Sequence, residues 1–380
     1  MTQKVIHVAM NGVTGRMGHH QHLVRSLLSI REQGGLRLDD GTTLYPEPIL
    51  VGRSEERLRA MASQHGLDRW TTSLDEVLAD PEVEVYFDAQ VTSAREVSLL
   101  KAIEAGKHIY TEKPVAGSLD GALRLAAAAK AKGITNGVVQ DKLFLPGMMK
   151  LRRLIKDGFF GRVLSVRLEF GYWVFEGDSV PAQRPSWNYK RDQGGGIVLD
   201  MFPHWQYLLE DLFGPVSAVY ARRATHLATR WDEAGEPYEV TADDAAYAIL
   251  EFASGAIASV NSSWAVRVNR RELLELQVDG THGSAVAGLR NCAVQHKVLT
   301  PMPVWNPDLP DPLDYQAMWT DVPDNAAFDN GFKQQWEQFL RAAAAGVPFK
   351  WDLFAGARGV QLAELALQSS DSGRRVEIPA

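Results

Sequence analysis

Short apolar runs alternate with stretches of helical spacing through the first 145 residues or so. Val5–Met10 reads as a strand, Gly12–Gly18 as a glycine-rich turn, and Gln21–Arg31 as a helix with Leu23, Leu27, Leu28 and Ile30 along it. Ile49–Val51 predicts a second strand, and Glu55–His65 a second helix with Leu58 and Met61 on one face. Val83–Phe87 gives a strand, Ala94–Ala105 a helix ending at Gly106, and Lys107–Tyr110 another strand. A helix over Leu119–Ala131, ending near Gly133, leads to a strand at Gly137–Gln140. Alternation of this kind with glycine helix stops predicts a parallel sheet covered on both faces. Gly34–Glu47 is polar and glycine-rich. It is expected on the surface as a loop or hairpin, because a structureless buried insertion would leave backbone groups unpaired.

After Pro146 the period changes to two. Val163–Phe170, Ala245–Phe252, Ala256–Trp264 and Leu273–Val278 alternate apolar and polar positions, predicting an antiparallel sheet with one face on a core. Gly331–Ala345 and Gly356–Ser369 return to helical spacing, and the proline-rich Met302–Tyr315 is expected as an extended loop. The expected fold class is therefore an α/β domain over residues 1–145, then an α+β domain over 146–380 with a large, mainly antiparallel open sheet. Covering that sheet's outer face calls for a homodimer or homotetramer.

Of 380 residues, 45% are hydrophobic and 23% charged, which excludes a disordered or fibrous chain. Lys and Arg total 40 against 47 Asp and Glu, a net charge of −7 that argues against nucleic-acid or anionic-membrane partners. Cys292 is the single cysteine, which excludes an internal disulfide and a cysteine-cluster zinc site. The first residues lack the apolar core of a secretory signal, and no apolar run reaches about 18 residues, so a cytoplasmic protein is expected.

Asn11–Gly18, NGVTGRMG, lies between a strand and a helix, where glycines let backbone N–H groups approach a pyrophosphate at the helix N-terminus. Gly12, Thr14, Gly15, Arg16, Met17 and Gly18 form the expected cradle for a dinucleotide. The second strand ends Val51-Gly52-Arg53-Ser54, with no carboxylate for a ribose 2′-hydroxyl until Glu55, which is expected to belong already to the helix. A guanidinium at Arg53 and a hydroxyl at Ser54 suit a 2′-phosphate, predicting a preference for NADP(H) over NAD. The competing reading is a solvated helix start with Ser54 as its N-cap.

Glu112-Lys113-Pro114 closes a strand at the sheet edge where ligands bind in open α/β folds. Asp200 and His204 are four apart, so a helix there projects both from one face. Pro203 fits if it lies in the first helical turn and otherwise kinks that helix. Tyr172, Trp173, Phe175, Trp187 and Tyr189 are interleaved with Asp178, Arg184, Asn188 and Arg191. That mixture suits a ring apolar on its C–H face and hydroxylated at its rim, making Tyr172, Trp173, Trp187, Tyr189 and Arg191 candidate substrate contacts. Packing the sheet or an interface is the alternative for each. His19, His20 and His22 lack a carboxylate or cysteine partner nearby and read as a helix-surface cluster, so no metal is expected.

These pieces together resemble the glucose–fructose oxidoreductase/inositol dehydrogenase (Gfo/Idh/MocA) family over nearly the whole chain. The likeness rests on AGKHIYTEKP at 105–114, DGFFGRV at 157–163 and GGGIVLD-x-x-x-His at 194–204. VDGTHGSAV at 278–286 and the final helix before VEIP also carry it. It implies a Rossmann dinucleotide-binding domain followed by an α+β domain, with Lys113, Asp200 and His204 as catalytic lysine, aspartate and histidine. Glu112 and Lys113 would join the cofactor set, and Lys142 would reach the substrate. Departures from the family pattern are Phe202 and Tyr207, where glycine and aspartate are common, and the missing Thr-Pro near Gln90–Thr92. The GRMG loop is closer to that of dihydrodipicolinate reductase, but the second half lacks that enzyme's basic His/Lys motif and the chain is considerably longer.

The chemistry expected is hydride transfer between nicotinamide and a secondary alcohol or ketone of a sugar, sugar derivative or cyclitol. His204 is suited to carry the hydroxyl proton, Asp200 to orient it or bind a neighbouring hydroxyl, and Lys113 to polarise the oxygen. Lys113 itself is the alternative proton carrier. Two other classes are a redox-neutral glycosidase using held NAD, and a non-catalytic dinucleotide-binding regulator.

Overall fold

The apolar run at Val5–Met10 becomes the middle of a parallel sheet in the computed structural model, which describes residues 2–310 and 313–379. Asp311 and Pro312, inside the loop expected over 302–315, lie outside the described residues. The sheet comprises β1 (Gln3–Asn11), β2 (Thr43–Val51), β3 (Val83–Asp88), β4 (His108–Thr111) and β5 (Asn136–Val138) in the order β2-β1-β3-β4-β5. Helices connect them: α1 (Met17–Leu28, continued over Ser29–Glu32), α2 (Glu55–His65) with a short helix over Leu74–Ala79 after it, α3 (Thr92–Glu104) and α4 (Leu119–Lys132). Ile6, Val8 and Met10 pack on one face with Leu23 and Leu27, while Ala9 and Tyr86 pack on the other with Leu99 and Leu125. With both faces covered, alternate side chains of β1 from Val8 onward all meet core, which is why that part of the strand reads as nearly continuous apolar sequence.

The second strand is longer than Ile49–Val51. It begins at Thr43 and pairs with β1 along its whole length. Pro46 and Pro48 obscure it in the sequence, since proline cannot donate to a ladder. The N–H groups of Leu50 and Gly52 point away from β1, to Arg69 and Thr71, so the even-numbered prolines also sit on the outer side. There the ladder has a gap between Leu36–Arg37, antiparallel to Leu44 and Thr43, and Trp70–Thr71. The hairpin expected within Gly34–Glu47 is formed by that first pairing.

The second sheet is built on α5 (Pro146–Lys156), β6 (Val163–Gly171), α6 (Ile197–Phe213), β7 (Val216–Ala224), β8 (Ala245–Phe252) and β9 (Ile257–Ser263). It continues through β10 (Leu274–Gly280), β11 (Gly283–Gly288) and β12 (Cys292–His296). The order is β12-β11-β10-β6-β9-β8-β7, with short edge strands Thr320–Asp321 and Val376–Glu377, an open nine-stranded sheet among the described residues. Its pairs are antiparallel except β6 with β9. Ala248 and Leu250 of β8 are buried, whereas Tyr247 and Ile249, which alternate with them, are exposed.

Two compact units result. One takes in the chain up to Phe144 together with Pro203–Tyr207 and Asp329–Glu364; the other holds Leu145–Phe202, Leu208–Phe328 and the chain from Leu365 onward. The C-terminal helices α7 (Gly331–Ala345) and α8 (Leu353–Ser372) explain the return of 329–364 to the first unit. Trp336 and Phe339 of α7 and Leu353 and Val360 of α8 complete its two cores. No helix among the described residues is long and apolar enough to cross a membrane.

Candidate active site

In the first unit the chain turns at Gly12 with φ +79°, where a Cβ would meet the backbone of Ala89 and Gln90 at 2.7 and 2.8 Å. A Cβ on Gly18 would lie 2.7 Å from the Gly12 carbonyl oxygen. The Gly15 N–H donates to that oxygen at 3.1 Å, and the His19 N–H donates to the Gly15 carbonyl at 2.8 Å. A side chain at position 12 or 18 would fill this cradle; without one, Gly15 and Arg16 are exposed at the start of α1, with Thr14 and Met17 half-buried. These residues fit a dinucleotide's pyrophosphate.

A buried network fixes the rim. Asn11 Nδ2 donates to the Tyr86 hydroxyl at 2.8 Å, and that hydroxyl donates to Asp88 Oδ2 at 2.8 Å. Asp88 Oδ1 accepts from the Gln90 N–H and from Arg95 Nε, and Arg95 also donates to the Pro114 carbonyl. Burial raises the Asp88 carboxyl above its ordinary value despite Arg95. At the second strand's end Arg53 is exposed, and Ser54 caps α2 by accepting the Arg57 N–H at 3.4 Å.

Glu112 follows β4, buried at 7% exposure. It accepts from His22 Nε2 at 2.8 Å, and its other oxygen accepts the Lys113 N–H at 3.1 Å. The indole N–H of Trp336 donates to His22 Nδ1 at 2.9 Å. Burial pushes the Glu112 carboxyl up, but the His22 hydrogen bond and the charges of Lys113 and Arg95 outweigh it, leaving the group below its ordinary value. Lys113 is half-buried and its bond to Pro114 is cis.

The middle turn of α6 also belongs to this unit. His204 is 7% exposed, and its Nδ1 lies 2.7 Å from the Tyr207 hydroxyl. Tyr207 Oη donates to Asp141 Oδ1 and accepts the Lys142 N–H, both at 3.2 Å. Lys142 Nζ is 2.7 Å from Asp141 Oδ2. Pro203 is inside α6, not in its first turn, which corrects the cheaper of the two placements expected. A Cβ on Gly359 of α8 would sit only 3.1 Å from it.

In the second unit Asp200 lies in the first turn of α6 and accepts from Arg184 Nη1 at 3.0 Å. Arg184 stacks 4.2 Å over the Trp264 ring. The start of α6 depends on Gly196, at φ +124°, where a Cβ would meet the Asp243 carboxylate at 2.8 Å; that carboxylate accepts the Val198 N–H. Tyr172 and Trp173 are half-buried, Trp173 beneath Arg267 at 4.2 Å, and Trp187 and Arg191 are exposed. Tyr189 is 1% exposed with its ring 4.0 Å from Arg230, the packing role that was its alternative.

His19 and His65 meet Nε2 to Nε2 at 2.8 Å, and burial followed by the neighbouring His20 and His65 lowers His19 from its ordinary value. No group of three or more metal-ligating side chains occurs among the described residues. The sequence gives no role to Asp141, Tyr207 or Trp336, and His22, expected in a helix-surface cluster without a carboxylate partner, is instead fully buried and paired with Glu112. Tyr207 alone had a local signal, standing three residues beyond His204 on the same helix face.

Residues 6–139 match the oxidoreductase family with an NAD-binding Rossmann fold, and residues 148–286 match the GFO/IDH/MocA C-terminal domain. A D-xylose dehydrogenase from Paenarthrobacter nicotinovorans is 57% identical over 379 residues, 99% of this chain and 98% of that one. A 1,5-anhydro-D-fructose reductase from Ensifer adhaerens is 28% identical over 256 residues, 66% of this chain and 70% of that one. The fold is that of a levoglucosan dehydrogenase solved with NADH and levoglucosan, at a TM-score of 0.81 and 21% identity, covering 99% of this chain and 100% of that one. With family matches over residues 6–139 and 148–286 and a 57% identical relative covering 99% of its length, the chain belongs to the Gfo/Idh/MocA family of oxidoreductases.

Proposed function

We propose that this protein is a sugar dehydrogenase that oxidises a hydroxyl-bearing carbon of an aldopyranose such as D-xylose, with residues 1–145 holding the cofactor and 146–380 supplying substrate contacts and the oligomer interface. The carrying observation is that His204, borne on α6, belongs to the same compact unit as Lys113 at the end of β4. The full-length relative's name supplies the substrate.

A bound nicotinamide would supply the hydride acceptor for the reacting carbon. Gly12, Thr14, Gly15, Arg16, Met17 and Gly18 would hold its pyrophosphate, and Glu112 fixes the backbone of Lys113 through that residue's N–H. Lys113 Nζ donates to the reacting oxygen, stabilising negative charge as the O–H bond breaks. His204 takes the hydroxyl proton. Asp200, anchored by Arg184, accepts from a neighbouring hydroxyl. Tyr172, Trp173, Trp187 and Arg191 supply apolar and polar contacts to the ring, and Lys142 acts through Asp141. NADP(H) is the preferred coenzyme, because no carboxylate stands between the end of β2 and the first turn of α2 at Glu55, and exposed Arg53 suits a 2′-phosphate.

Turnover of D-xylose and a panel of other sugars and cyclitols, followed at 340 nm with NAD and NADP, tests this. Lys113→Met and His204→Ala should each lower kcat by about a hundredfold or more. Near-normal turnover in both variants overturns the assignment, and a lower KM for NAD overturns the coenzyme preference. Glycoside cleavage without an absorbance change would replace dehydrogenation with a redox-neutral reaction.

A further inference from the structure

We infer that Tyr207 and Asp141 act as a positioning relay that holds His204 in its Nδ1–H tautomer, making Nε2 the nitrogen that exchanges the substrate proton. The inference rests on the dehydrogenase reading above. A phenol oxygen has one proton and two lone pairs, and three groups meet this one. The Lys142 N–H can only donate, and takes one lone pair at 3.2 Å. The Asp141 carboxylate accepts, and takes the phenol proton at 3.2 Å. One lone pair remains for His204 Nδ1 at 2.7 Å, so that nitrogen carries hydrogen.

The reverse assignment fails on the same count. If Tyr207 donated to Nδ1, its second lone pair would face Asp141 Oδ1 and leave two acceptors opposed in a buried site, a desolvated contact with no compensation. Asp141 is held in place from its other side, since Lys142 Nζ occupies Oδ2 at 2.7 Å. Oδ1 also lies 3.8 Å from His204 Nδ1, near enough to favour an N–H on that nitrogen. Burial and then the Asp141 charge keep the Tyr207 hydroxyl well above its ordinary value, so it retains its proton. In this chain the carboxylate behind the histidine comes from the segment after β5, with a tyrosine spanning the distance.

Selective 15N labelling of histidine reads the tautomer directly, with His204→Gln used to assign the resonance. In substrate-free protein Nδ1 should carry the ring hydrogen and Nε2 should carry none. Tyr207→Phe should reduce the Nδ1–H population and lower kcat on D-xylose about ten- to a hundredfold, with KM nearly unchanged. Asp141→Asn, which keeps an oxygen acceptor but loses the charge, should move both readouts in the same direction by less; it stands in if Tyr207→Phe does not fold. An Nε2–H tautomer in the unaltered protein, or an unchanged tautomer in both variants, overturns the relay. Because the tautomer is read without substrate, an enzyme inactive on every sugar but holding Nδ1–H would sink the dehydrogenase reading and leave the relay's geometry standing.

Discussion

Trp336 donates its indole N–H to Nδ1 of His22 across 314 positions of sequence. Indole nitrogen can only donate, so Nδ1 must accept and the imidazole proton sits on Nε2, directed at Glu112. A residue of the C-terminal helix α7 thereby sets the hydrogen-bond state of the carboxylate that precedes Lys113.

That arrangement makes Glu112 a source of acid sensitivity. Its folded value is depressed, so its contribution is fully present above the unfolded value of 4.5 and is lost as pH falls through the folded one. Urea midpoints of the unaltered protein and Glu112→Gln should differ at neutral pH and converge below about pH 4.5. A difference that widens on acidification would contradict the sign. Trp336→Phe, which leaves buried Nδ1 without its donor, should cost about 1–3 kcal/mol near neutrality.

The two glycines of the turn are not equivalent. Gly12→Ala puts a methyl against rigid backbone at 2.7 Å in a positive-φ conformation, whereas the same change at Gly15 meets only one carbonyl oxygen, at 3.3 Å. Strain at position 12 is expected at about 1–3 kcal/mol, enough to displace the cradle. Coenzyme affinity measured by calorimetry should fall at least tenfold for Gly12→Ala and several-fold less for Gly15→Ala. Equal losses would mean that the backbone contact at 12 is irrelevant to binding.

Arg184 links the aromatic stretch to Asp200. Burial alone would lower the guanidinium, yet Asp200 and Tyr172 hold it above its ordinary value. Removing a hydrogen bond to a charged group costs about 1.5–3 kcal/mol, so Arg184→Met should reduce kcat/KM for D-xylose roughly 10- to 100-fold. Arg184→Lys should recover only part, because an ammonium lacks the planar face that stacks on Trp264. Full activity in Arg184→Met would remove Asp200's anchoring from the scheme.

What the sequence made legible follows the range of each interaction. α2 begins and ends where its cap and glycine stop predict, and β8 is given residue for residue by its alternation, because both are decided within a few positions. Lys113 and His204 could be nominated because short motifs carry them. The hydrogen-bond partners that orient the site were not legible. Trp336 looks like any core tryptophan, and Asp141 like a turn residue, until the chain folds them against His22 and Tyr207. β2 extends beyond what its sequence predicts for a different reason: its prolines are tolerated by a gap in the neighbouring ladder, which is a property of the sheet and not of the strand.

The outer face of the second sheet supports one further prediction. Ile249 is 47% exposed at a position opposite Tyr220 of β7 and Ser259 of β9, and Tyr220 and Tyr247 are exposed near it. An alternating strand leaves such side chains in water only if nothing covers them, and a second copy of the same face would remove them from it. In a two-fold interface a residue near the axis approaches its own counterpart, so one substitution acts twice. Ile249→Glu would bury two carboxylates without partners, at a cost of several kcal/mol. Sedimentation should therefore show an oligomer for the unaltered chain and a monomer for Ile249→Glu, while Val97→Glu on exposed α3 leaves the oligomer intact. A monomer in both, or an oligomer indifferent to Ile249→Glu, would mean that this face is solvent-exposed in the working protein.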